Sequence, residues 1–406
     1  MLLQLPAELR TEIYSLLFAP WNNRREISED DATYNYREAL ALFRVNRQIY
    51  LESRKVFQRL NSFVLIETPW TDAKHHVAVD GHVYLLCAGA QADNFKDHTM
   101  HVTIQAPQHH LRPAMDRFVI VLDDLDKFCT SWYYSHLSMP GLNQHLSLHL
   151  YLRDPYAAVA PAETGNEEKL ISPALQRRLL APFGKIKGLL SLTVDGDPKP
   201  LASVEADMRA VMAIPLDSPE SCLLKSTKLK DEGNVALQTG HYTEALELYR
   251  QAWHAIHIIV SGKQRHVHGD NYFDRELTDP NSPFVGRSGS TERTLLRIRL
   301  VANSVLAYLK LNDLDMAVHT GMRTIRILRF SIGVDENEGA NDPAQEAFTS
   351  FFAAAEMGKI YYRTALAYKG LDDKYEARRL LKVAVLYLPN DQNVHREIRE
   401  CALRIM

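Results

Sequence analysis

No apolar run in this chain approaches the roughly 18 residues that a membrane-crossing helix needs, so no spanning segment is expected. The opening MLLQLPAELR has no basic leader before its apolar residues and carries Glu8 early, unlike a secretory signal. Cysteine is scarce: Cys87, Cys129, Cys222 and Cys401 are scattered, with no CxxC pair. That argues against a disulfide framework or a zinc ribbon and suits a reducing compartment, cytoplasmic or nuclear. Charge of either sign is not in excess. The formal net charge is −3, which gives no general attraction to nucleic acid or to a membrane surface, and neither is expected as a partner. The Gly-rich phosphate loop, the Gly-x-Ser-x-Gly elbow and the His-Glu-x-x-His zinc motif are all missing. Nothing therefore argues for an enzyme, and no cofactor is expected.

The other candidate chemistry is thin. Among 17 histidines, the pairs His75–His76 and His109–His110 and the loop residues His266 and His268 lack a second ligand pair at metal-like spacing. No metal is expected. Asp123, Asp124 and Asp126 read as a solvated strand end. The aromatic stretch 126–134 reads as buried packing.

What the chain does have is a repeat in its second half, which fixes the expected fold there. Three segments align on the small residues Ala245, Ala317 and Ala377. Four positions on lie Tyr249, Gly321 and Leu381, and seven positions on lie Ala252, Thr324 and Ala384. Small residues let two helices of a pair touch, and large ones fill the groove between pairs. The first helix of each pair is expected to end in a polar turn near Gly240, Asn312 and Asp372, and Pro389 closes the third unit. Beyond it, Val394, Ile398, Leu403 and Ile405 mark a capping helix. Segments 261–289 and 331–345 read as loops or helix extensions with mobile tips.

This pattern resembles the tetratricopeptide-repeat family, most closely in the first and third units. Lys230 and Asn234 are four apart and share one face of a first helix. Lys359 and Arg363 repeat that spacing in the third unit, and Asn303 precedes Ala317 by the same interval as Arg363 precedes Ala377. In the family these five positions form the carboxylate clamp that holds the Glu-Glu-Val-Asp tails of heat-shock chaperones. The resemblance implies that Lys230, Asn234 and Asn303 grip the terminal carboxylate. Lys359 would reach the Asp side chain, and Arg363 would support the peptide backbone or an upstream acid.

The front half follows other rules. Leu9, Ile13, Leu16 and Leu17 share one helical face within 5–18. Leu42, Val45, Ile49 and Val56 share another within 38–57, and NSFVLIET follows as a strand. The order Leu-Pro-x-Glu-Leu-Arg, Arg-Val-Asn-Arg-Gln-Ile-Tyr and Asn-x-Phe resembles the F-box-like N-terminal region of fungal proteins. That implies a Skp-like linker protein as a partner, bound through Leu9 and Ile13. Residues 118–124, 145–152 and 189–198 read as strands, with a helix over 173–185 and a loop over 154–168.

The expected architecture is therefore an α+β N-terminal domain followed by an all-α tetratricopeptide-repeat solenoid of three helix pairs plus a capping helix. Residues 1–70 form the F-box-like region, 71–212 the α+β part packed with it, 213–222 a linker and 223–406 the repeats. The expected function is a non-enzymatic adaptor that docks on a chaperone tail. The alternative is a substrate adaptor of a cullin-type ubiquitin ligase.

Overall fold

The computed structural model describes residues 2–27, 32–107, 116–156 and 171–401. The chain divides into two compact units, Met1–Leu216 and Asp217–Met406.

The first unit is built on one mixed eight-stranded sheet of order β1-β2-β4-β6-β3-β5-β7-β8. Its strands are β1 (Arg24–Glu26), β2 (Ala32–Tyr34), β3 (Phe63–Thr68), β4 (Leu85–Ala88), β5 (Met100–Gln105), β6 (Asp116–Val121), β7 (Ser147–Arg153) and β8 (Ser191–Asp197). The central β3, FVLIET, is buried along its whole length because both faces of the sheet are covered there, which is why its apolar residues do not alternate. It pairs parallel with β5 and antiparallel with β6. On β7, Leu148, Leu150 and Leu152 point into the core while His149 points out, as the alternation predicts. The helices are α1 (Ala7–Phe18), α2 (Arg37–Leu40), α3 (Arg47–Leu60), α4 (Ala73–Val79), α5 (Ala90–Asp93), α6 (Leu125–Ser138), α7 (Pro173–Leu180) and α8 (Ala202–Ala213). The helix expected over 173–185 finishes as a 3-10 turn, Ala181–Lys185.

Helix α1 buries Arg10, Tyr14 and Phe18, so the apolar face bearing Leu9, Leu16 and Leu17, offered by the sequence as a partner surface, is the exposed one, while the expectations for the helix over 38–57 and for the aspartate cluster change. Arg10 forks onto Glu52 of α3 at 2.6 and 2.8 Å, and Tyr14 adds its hydroxyl to the same carboxylate. These bonds hold the Glu52 carboxyl down near 2. The helix expected over 38–57 is broken at Val45, which lies 60% exposed in a bend, and Asn46 caps a new helix by accepting from the Ile49 N–H. Nor is the aspartate cluster simply solvated. Asp124 is buried and accepts from the Tyr34 hydroxyl at 2.7 Å and from Lys127 at 2.8 Å. On α6, Phe128, Cys129 and Trp132 enter the core. The His109–His110 pair and most of the loop 154–168 lie outside the described residues.

The second unit is mostly helical: α9 (Pro219–Gln238), α10 (Tyr242–Ala255), α11 (Asp270–Phe273), α12 (Gly289–Lys310), α13 (Leu314–Ser331), α14 (Pro343–Glu346), α15 (Ala354–Gly370), α16 (Lys374–Tyr387) and α17 (Gln392–Glu400). The start of α9, capped by Ser218, overlaps the stretch expected as a linker. Three short turns with one geometry join α9 to α10, α12 to α13 and α15 to α16. Gly240, Asn312 and Asp372 each take positive φ (86°, 58° and 64°). The following N–H groups, of His241, Asp313 and Asp373, bond back to the carbonyls of Ala236, Tyr308 and Tyr368 at 2.9, 3.0 and 2.9 Å. This is the left-handed helix stop that glycine and asparagine favour, with aspartate in the third copy. Asp313 and Asp373 then cap the next helix. Ala245, Ala317 and Ala377 are fully buried. Leu403 and Ile405, expected on the last helix, lie outside the described residues.

This unit is not all-α. Running from the end of α10 into the segment expected as a loop, β9 (Ile258–Ser261) and β10 (Gln264–Val267) form an antiparallel hairpin that carries His266, whose ring stacks on that of His268. Phe273 and Leu277 are fully buried, so the segment belongs to the core. No helix among the described residues is long and apolar enough to cross a membrane.

Candidate functional site

The five residues singled out by spacing lie on three helices, α9, α12 and α15, and α12 packs against both of the others. The site begins with a glycine. A Cβ on Gly233 would come within 2.5 Å of the Tyr249 ring, so only glycine lets that ring cross α9. The buried Tyr249 then delivers its hydroxyl to Asn234 Oδ1 at 2.9 Å. The same oxygen accepts from Asn303 Nδ2 at 2.7 Å, which joins α9 to α12. From α15, Arg363 donates to the Ala302 carbonyl at 2.5 Å. Burial lowers the Arg363 pKa, opposed by Tyr249 and Tyr362. Burial in turn raises the Tyr249 hydroxyl to about 12, with Arg363 pulling it back. Tyr249, Asn234 and Asn303 are therefore joined by hydrogen bonds between α10, α9 and α12, and Arg363 of α15 is fixed to the backbone next to Asn303.

The two lysines flank this polar patch. Lys230 lies one turn before Asn234, mostly covered, with its ammonium 2.8 Å from Asp231. Lys359 lies one turn before Arg363, is exposed, and has no ion-pair partner among the described residues. Among the described residues no hydrogen bond joins either lysine to the amides. At the other end of this face Arg299 of α12 bonds Glu356 of α15 at 3.1 Å.

The patch can do one kind of chemistry. Asn234 Oδ1 is saturated by two donors, so what this side chain can offer a ligand is its Nδ2 donor. With two ammonium groups and a guanidinium, the surface is rich in donors and suited to a carboxylate. It offers no nucleophile paired with a base. Sequence reasoning valued Tyr249 only for its size. Its hydroxyl became a site group because Gly233 lets it reach Asn234, and the glycine, seven residues before the turn at Gly240, was the available signal. Asp231 was also missed, although its adjacency to Lys230 is plain in the sequence.

The pair α12–α13 also explains its own irregularity. Gly321, where the other two helix pairs carry Tyr249 and Leu381, faces Thr364 of α15, and a Cβ there would overlap the threonine hydroxyl. Helices α13 and α15 thus touch through a glycine, and the bulk comes from the other side. Thr324 has its hydroxyl buried without a hydrogen-bond partner.

No family model matches this chain, and no curated protein aligns with it significantly.

Proposed function

We propose that the second unit is a tetratricopeptide-type solenoid that binds the acidic C-terminus of a partner protein, of the Glu-Glu-Val-Asp kind found on heat-shock chaperones. The observation that carries this reading is the junction of Asn234, Asn303 and Arg363 on three successive first helices. Asn234 and Asn303, held by each other and by Tyr249, and Arg363, held by the Ala302 carbonyl, lose little freedom when a ligand arrives, so more of each new bond appears as affinity. A terminal carboxylate would take donors from Lys230, Asn234 and Asn303. The side chain of a final Asp would meet Lys359. In this role the protein is an adaptor and catalyses nothing.

The test is titration of a labelled Met-Glu-Glu-Val-Asp peptide, with its C-terminal amide as control. Binding should require the free carboxylate and fade with salt. Lys230→Ala should weaken it by tenfold or more, since a charge-assisted bond contributes about 1.5–3 kcal/mol. Absence of binding at high micromolar peptide would remove the chaperone reading.

A second reading, a cullin-ligase adaptor that docks a Skp-like linker, is favoured by one surface. Leu9 and Leu16 on α1 are 47% and 59% exposed and Trp21 just beyond is 70% exposed, with Ile13 half-buried among them. Co-elution with a Skp-like protein should be lost in Leu9→Asp, a change at an exposed site that leaves the fold intact. If the wild-type chain does not associate at all, this reading is wrong.

A further inference from the structure

A second concave site lies away from the peptide face. It is a cavity of about 320 Å³ between the β9–β10 hairpin, α10 and α13, and none of Lys230, Asn234, Asn303, Lys359 or Arg363 lines it. Its walls include Trp253, Lys263, Arg265, His319, Thr320 and Arg323.

The charges here are not balanced. Arg265 lays its guanidinium 4.4 Å over the Trp253 ring, with its Nε buried and without a hydrogen-bond partner. Among the described residues no carboxylate lies within ion-pair distance of Arg265, in contrast to Arg293 and Arg329 of the same unit, which have Asp270 and Glu346. Its charged neighbours are also cations. Arg323 is fixed beside it by bonds to the carbonyls of Lys263 (3.0 Å) and Arg265 (3.1 Å). Arg297 on α12 acts on it with the same sign, and burial together with these two lowers Arg265 to about 10. The one acid in the lining, Glu247, is exposed and already engaged by Arg250 at 2.6 and 2.8 Å.

Removing a guanidinium from water without a counter-ion is costly. Folding tolerates a cluster of such groups when something else supplies the negative charge. Guanidinium forks present several donors in a plane and suit an anion with several acceptor oxygens. The cavity is too small for a folded partner, and its lining includes the Trp253 ring and the hydroxyl-bearing Thr243 and Thr320. We propose that this cavity binds a compact phosphate-bearing anion, held by Arg265, Arg323 and Lys263 against Trp253. The anion then serves as the counter-ion that pins the hairpin to α10 and α13. The site is independent of the peptide-binding reading.

The experiment titrates inorganic phosphate and pyrophosphate into the full chain at fixed ionic strength, with chloride as the balancing salt. Binding is followed by calorimetry and by thermal unfolding of the second unit. At 100 times the dissociation constant the melting temperature should rise by roughly 5–10 °C. Arg265→Gln should abolish the rise and, because it removes an uncompensated charge, should itself raise the melting temperature in phosphate-free buffer. Lys263→Gln, a change at an exposed residue of the hairpin tip, should weaken binding several-fold without affecting the fold. Lys359→Ala should leave it unchanged. The proposal is overturned if neither anion binds, if binding survives both Arg265→Gln and Lys263→Gln, or if Lys359→Ala abolishes it, which would put the anion on the peptide face.

Discussion

Replacing Glu346 by Gln should lower the stability of the second unit by about 3–5 kcal/mol, the usual consequence of leaving a buried charge without its partner. Arg329 of α13 and Glu346 of α14 form an ion pair at 2.8 Å with both side chains 0% exposed. The carboxylate also accepts from the Tyr361 hydroxyl at 2.8 Å and from the Ala340 N–H at 3.2 Å. Arg329 in turn donates to the carbonyls of Glu336 and Asn337, and its Nη2 has no partner. The network therefore fastens the segment between α13 and α14 to α15. Glutamine fills the same space but cannot balance the guanidinium. The melting temperature should fall by roughly 10 °C, and hydrogen exchange should accelerate across 333–346. The double change Arg329→Met with Glu346→Leu should recover most of the loss, since apolar replacement of a whole buried pair is often neutral or better. A fall of less than about 2 °C in Glu346→Gln would show that the pair is not the anchor described here.

Gly321→Leu gives the second large effect, in a direction opposite to what repeat regularity suggests. Leucine at this position would make the pair α12–α13 resemble α15–α16, which has Leu381 there. On pattern alone the change should stabilise. The structure puts Thr364 of α15 directly against Gly321, with its Cβ 3.1 Å from where a Cβ would lie. Leucine must push α13 from α15, at a cost of about 3 kcal/mol or more, which exceeds the roughly 1 kcal/mol gained by removing a helical glycine. Gly321→Ala should lose less, and pairing it with Thr364→Ala should restore much of the loss, a non-additive result expected of residues in contact. A stabilised Gly321→Leu would mean that the two helices are not held this closely.

These two sites show where reading the sequence stopped. The repeated alanines, the three helix-ending turns and the order of the helix pairs were legible because each follows from local spacing and from residues that accept positive φ. So was the alternation of β7. The interior of the segment after α10 was not legible. Its hairpin is stabilised by contacts to distant groups, such as Arg265 over Trp253 and the bonds from Arg323, which no window around 258–267 contains. The segment after α13 read as a loop with a mobile tip because it is rich in Gly, Asp and Asn. It is fixed instead by one carboxylate that enters the core. In the candidate site, spacing put Lys230, Asn234, Asn303, Lys359 and Arg363 on first helices, but only the packed helices join Asn234 to Asn303 and Arg363 to α12.

By itself the sequence determined the elements whose cause is local. These are the helices with an apolar face, the turns where Gly240 and Asn312 relieve the strain of positive φ, and the central strand whose unbroken apolar run demands burial on both faces. The tertiary structure decided everything that depends on what a side chain meets across the core. It turned Leu9 outward and Tyr14 inward on α1, made Gly321 a point of contact, gave Glu346 a buried partner and left Arg265 without one. The reason is physical. Periodicity fixes which residues share a face, but the energy of a buried charge, a missing Cβ or an unpaired guanidinium is set by neighbours that the chain brings together only when it folds.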